Sequence, residues 1–88
     1  MKTIVTKEVL NVEDFEYINP FIKVSNNTLS VETEKESVEE VVEEFKNLYN
    51  IGTAECDMFE EYVENEEPQT VEEVLDLVLE AFLEEYNY

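Results

Sequence analysis

Residues 70–85 read Thr70-Val71-Glu72-Glu73-Val74-Leu75-Asp76-Leu77-Val78-Leu79-Glu80-Ala81-Phe82-Leu83-Glu84-Glu85. Thr70 followed three residues later by Glu73 is a capping-box spacing, in which a hydroxyl and a carboxylate satisfy free N–H groups at a helix start. Val71, Val74, Leu75, Val78 and Phe82 then recur at three- and four-residue steps, which places them on one helical face. This spacing predicts a helix continuing to about Tyr86. Leu77, Leu79, Ala81 and Leu83 widen the apolar stripe beyond what one flat contact needs. The helix therefore either lies at the centre of the fold or gives part of its surface to a dimer interface.

Two more helices are expected upstream. Ser37 with Glu40 makes another capping box, and Val38, Val41, Val42, Phe45, Leu48 and Tyr49 keep helical spacing up to Gly52, the single glycine, which supplies a stop. From Thr53 to about Asn65, Met58, Phe59, Tyr62 and Val63 share a face, and Pro68 closes that segment. Nearer the N-terminus the period shortens. Residues 3–10 read as a strand, although Val9 to Tyr17 also fits a helical turn. Phe21-Ile22-Lys23-Val24 and Leu29-Ser30-Val31-Glu32 flank Ser25-Asn26-Asn27-Thr28, and asparagine tolerates the positive φ of a tight hairpin turn. Pro20, which has no N–H to give a ladder, belongs at the strand entrance. The expectation is a single α+β domain over residues 1–88, an N-terminal β-hairpin or small antiparallel sheet packed against about three helices.

A chain of 88 residues can bury somewhat more than about 60% of its unfolded surface, enough for one modest core. Against that core stand 24 acidic residues, five lysines and no histidine, a net charge of −19. Solubility in a small domain needs a net charge of only about 2 to 8, and the excess destabilises the compact state by self-repulsion. The charge is also uneven, with residues 1–31 carrying net −1 and residues 32–88 net −18. Phosphate-bearing partners would be repelled, so direct nucleic-acid binding and anionic membranes are excluded and a basic protein is the expected partner.

Catalytic chemistry finds little footing. Without histidine, Cys56 has no imidazole to activate it, and core packing is its expected role. No disulfide can form within a chain that has one cysteine. One glycine and no arginine leave neither a phosphate-cradling loop nor an arginine finger. No calcium loop of the D-x-[DN]-x-[DN]-G type occurs, so neither metal nor cofactor is expected. Paired carboxylates are compatible with glycosidase chemistry, but the chain is short for a sugar cleft and has no tryptophan platform. The N-terminal residues lack an apolar stretch of signal-peptide length and no segment is apolar enough to span a bilayer. The expected setting is the cytoplasm, and the expected protein is not an enzyme.

The acids themselves carry the functional signal. Glu36, Glu40 and Glu44 lie at four-residue steps, with Glu39 and Glu43 in a neighbouring row. At a rise of about 1.5 Å per residue, the five acids from Glu36 to Glu44 span about 12 Å. This density is comparable to one charge per about 1.7 Å in B-DNA, or about 3.4 Å per strand. The plain alternative is that a glutamate run is merely a solvated helix face. Two further runs weigh against it, Asp57, Glu60, Glu61, Glu64, Glu66 and Glu67, then Glu72, Glu73, Asp76, Glu80, Glu84 and Glu85. Like charges at i, i+4 recur at 36/40, 39/43, 40/44, 57/61, 60/64, 72/76, 76/80 and 80/84, a tolerated cost of about 2 to 4 kcal/mol at low salt.

Through Glu36-Ser37, Phe45-Lys46-Asn47, Asn50 and Asp57-Met58-Phe59-Glu60-Glu61-Tyr62, the chain resembles the small acidic phage inhibitors of RNA-guided DNA nucleases, the anti-CRISPR proteins. The resemblance covers the layout of about residues 20–67. It implies that acidic side chains occupy the nuclease's basic DNA-entry site, where arginine and lysine otherwise read the PAM and hold phosphates. The candidate contact residues are Glu39, Glu40, Glu43 and Glu44 on the first helix, and Asp57, Glu60, Glu61, Glu64, Glu66 and Glu67 in the central segment. The leading expectation is a stoichiometric inhibitor of a DNA-binding enzyme, acting by DNA mimicry in a bacterial host cell as monomer or homodimer. The alternative is a structural or regulatory module that dimerises or grips a partner through the apolar last helix.

Overall fold

The computed structural model describes residues 2–8, 21–25, 27–49 and 54–85. In chain order the elements are β1 (Thr3–Glu8), β2 (Lys23–Ser25), β3 (Thr28–Thr33), α1 (Val38–Leu48), α2 (Ala54–Glu66) and α3 (Val71–Glu85). This is the expected α+β arrangement.

β3 is the middle strand of an antiparallel sheet ordered β1-β3-β2. Its residues alternate strictly, Leu29, Val31 and Thr33 buried and Thr28, Ser30 and Glu32 half-buried, because successive side chains point to opposite faces of a pleated strand. The expected hairpin forms with Ser25 opposite Thr28. Asn27 carries φ 64°, the left-handed conformation that asparagine tolerates better than most residues. β1 lies on the other side of β3, with Val5 opposite Val31. The expected strand over residues 3–10 is described to Glu8, while the possible turn at 9–17 and Pro20 lie outside the described residues.

α3 packs against β1, β3, α1 and α2. Val74, Leu75, Leu77, Val78, Leu79, Ala81 and Phe82 are all buried, which explains the unusually wide apolar stripe: a helix with a sheet on one side and helices on others needs more than one apolar face. Burying one such Val, Leu or Phe side chain contributes about 1.5 to 3 kcal/mol. Of the two readings of this helix, the centre of the fold is therefore the one observed.

Around α3 sits an aromatic cluster. Phe21 meets Phe45 and Tyr49 edge-on, with ring centroids 5.5 and 5.1 Å apart, and Phe59 lies 5.5 Å from Tyr49. Such tilted contacts suit the ring quadrupoles. The buried Tyr49 hydroxyl donates to the Val78 carbonyl at 3.4 Å, tying the end of α1 to the middle of α3. Cys56 is buried in the same core, as expected of it.

The helix ends follow the sequence in their capping hydroxyls and depart from it in three respects. Ser37 and Thr70 each accept the N–H three residues on, both at 3.2 Å, but the return half of each box differs. The Glu40 carboxylate accepts from the Ser37 hydroxyl at 3.0 Å, and Glu73 accepts from the Thr70 hydroxyl and from the Gln69 N–H. α1 also stops before Gly52, which lies outside the described residues. Tyr49 turns extended at φ −72° and ψ 147°, and its N–H bonds the Phe45 carbonyl. α2 stops at Glu66, one residue past the expected end. Glu67 takes φ 47° and its N–H reaches the Val63 carbonyl at 3.1 Å. Pro68 disfavours a right-handed helical residue before it, so the chain leaves α2 through a left-handed glutamate.

Candidate functional site: acidic helical faces

Three of the five lysines are occupied near the sheet. On its outer face Lys2 and Lys23 both reach Glu32 at 2.8 Å. Their hydrogen bonds hold the Glu32 carboxyl down at about 2, and Glu32 in turn raises Lys2. On the helix side Lys7 lies 3.4 Å from Asp76 and 3.8 Å from Glu80. Among the described residues neither Lys35 nor Lys46 forms an ion pair, so the acids of α1 and α2 have no lysine bound to them there.

α2 carries the most regular charge array. Asp57, Glu60, Glu61 and Glu64 are all exposed and fall at i, i+3, i+4 and i+7, hence on one face. Four carboxylates occupy about 10 Å of helix axis. Beneath the array the Cys56 thiol donates to Glu60 at 3.5 Å. Burial pushes this thiol up, and the neighbouring Glu60 carboxylate adds to the shift, the reverse of what an activated thiolate needs. Glu66 and Glu67 are exposed at the end of the helix.

On α1, Glu39, Glu40 and Glu43 are exposed, whereas Glu44 is half-buried. The Glu44 carboxylate accepts a hydrogen bond from the hydroxyl of Thr33, the buried polar residue on the inner face of β3. Of the four α1 acids nominated from sequence, Glu44 is thus partly committed to the fold. Glu40, Glu43 and Glu44 line a cleft of about 470 Å³ with Lys35, Asn47 and Leu48.

The structure adds an acidic groove in which one sequence-based candidate, Glu66, joins four α3 acids that were not among the candidates. Glu66 from α2 and Glu72, Glu73, Asp76 and Glu80 from α3 surround a cleft of about 470 Å³, completed by Val5, Pro68 and Leu77. A second cleft of about 380 Å³ shares Glu66 and Glu80 and extends to Lys7, Tyr62 and Glu84. Burial, then the Glu84, Glu80 and Glu61 carboxylates, raise the Tyr62 phenol. The four-residue series Glu72, Asp76, Glu80 and Glu84 was the sequence signal for this groove. Its meaning depends on β1 and the end of α2 lying beside α3, which no periodicity reveals.

Among the described residues no group of three or more histidines, cysteines and acids is placed to hold a metal ion. No helix there is long and apolar enough to cross a membrane. No family model matches the chain, and neither a curated protein nor a solved structure matches it.

Proposed function

We propose that this protein is a stoichiometric inhibitor of a DNA-binding enzyme, acting in the bacterial cytoplasm by presenting carboxylates where the enzyme expects phosphates. The observation that carries this reading is the exposure of acids along α1 and α2 while the ion-paired lysines serve Glu32, Asp76 and Glu80. The magnitude supports it. The longest dimension is 32 Å, and a duplex of that length carries about 19 phosphate charges, against a net −19 here. Long-range attraction would steer the acidic faces to a basic groove, and carboxylate pairs with arginine or lysine would hold them there. The resemblance to anti-CRISPR proteins makes an RNA-guided nuclease the first target class to test, with DNA entry as the step blocked.

The reading through the apolar last helix has less support, because Val74, Leu75, Val78, Leu79 and Phe82 are already fully covered by this chain. The deciding experiment captures partners from bacterial lysate at low and high salt, then asks whether duplex DNA displaces the protein from the enzyme recovered. Mimicry requires displacement and a steep loss of binding between about 50 and 200 mM salt.

A further inference from the structure

We propose that the edge of β1 and the groove beside it form a docking site for an extended basic segment of a partner protein, with cations at alternate positions. This rests on the protein being a binder of basic proteins, though not on the partner being a nuclease. β1 has β3 on one side and no strand among the described residues on the other. An edge strand offers unpaired N–H and C=O groups to an incoming chain. Ile4, on the outer face of β1, is 56% exposed, a large apolar side chain at the edge of a small sheet.

The inner side of that edge is acidic. Val5 of β1 meets Pro68 and Leu77 in the groove ringed by Glu66, Glu72, Asp76 and Glu80, with Lys7 the one cation near its carboxylates among the described residues. Because strand side chains alternate, a segment added along β1 would send every second residue over this groove and the others toward Ile4. Charge complementarity then fixes the occupant: lysine or arginine on the groove side and β-branched apolar residues on the other. A second copy of this chain would bring another set of the same carboxylates, and a helix would leave the β1 backbone unpaired.

The test uses the full chain and two synthetic nonapeptides of identical composition, one alternating lysine with valine and one with the lysines grouped at one end. Affinity is measured by calorimetry at low salt, and the contact face by amide NMR. The expected result is at least tenfold tighter binding of the alternating peptide. Amide shifts should centre on Thr3–Glu8, and binding should weaken at least fivefold in E66Q/E72Q/E80Q. Equal affinity for both peptides, or shifts confined to α1 and the outer α2 face, overturns edge docking while leaving the broader reading intact. Failure of both peptides to bind overturns edge docking as well, while the broader reading stands or falls on displacement of duplex DNA from the captured enzyme.

Discussion

The Thr33 hydroxyl, buried on the inner face of β3, donates to the carboxylate of Glu44 on α1 and accepts the Lys35 N–H at 3.1 Å. One acid among many is thereby part of the fold, joining the sheet to the first helix through the turn that connects them. Glu44→Ala should cost about 1 to 2 kcal/mol, because it leaves a buried hydroxyl without its acceptor. The exposed Glu43→Ala should stay within about 0.5 kcal/mol. Urea unfolding of the two variants separates these outcomes.

Glu67 holds a left-handed backbone at φ 47°, which costs a non-glycine residue about 1 to 2 kcal/mol. Glu67→Gly should raise stability by up to about 1 kcal/mol, the strain relief being partly offset by the greater freedom of the unfolded chain. Thr70→Ala, which removes the cap one turn later, should lower stability by about 1 kcal/mol. Thermal melts of the two variants should move in opposite directions.

Glu32 titrates at about 2 because Lys2 and Lys23 bond its charged form. A depressed folded-state value means that the stabilisation is present above the unfolded carboxyl value and is lost as pH falls toward the folded one. The melting-temperature difference between the parent and Glu32→Gln should therefore hold from pH 7 to about 5 and shrink steadily between about 4.5 and 2. A difference that grows on acidification contradicts the ion-pair geometry.

A net charge of −19 repels itself across a body 32 by 30 by 20 Å, and the Debye length falls from about 30 Å at 0.01 M salt to about 8 Å at 0.15 M. Neutral salt should therefore raise the melting temperature over that range, most steeply at its lower end. Leu79→Ala should lose about 2 to 5 kcal/mol at any salt concentration, since Leu79 is fully buried. Were α3 an interface instead, that substitution would weaken self-association and spare the fold.

The fold was legible wherever one period dominated. The apolar stripe of α3, the capping hydroxyls Ser37 and Thr70, and the alternation of β3 each need only local spacing. Helix ends were less legible. Gly52 drew the stop of α1 too late because Tyr49 leaves the helix early, its ring held by Phe21 and Phe59 and its hydroxyl by Val78, a tertiary cause with no local signature. The acids were visible as runs, but not their fates. Only three-dimensional contact distinguishes Glu44, bonded to Thr33, from Glu43, or joins Glu66 to Glu80 across two helices.

The most direct test of the central claim is a displacement titration: labelled duplex DNA bound to the captured enzyme, with unlabelled protein added at about 50 and 200 mM salt. Mimicry predicts one-to-one displacement that weakens at least tenfold at the higher salt and is lost in D57N/E60Q/E61Q/E64Q, a variant with unchanged stability or better. Undiminished binding by that variant, or a complex in which DNA and protein occupy the enzyme together, would contradict it.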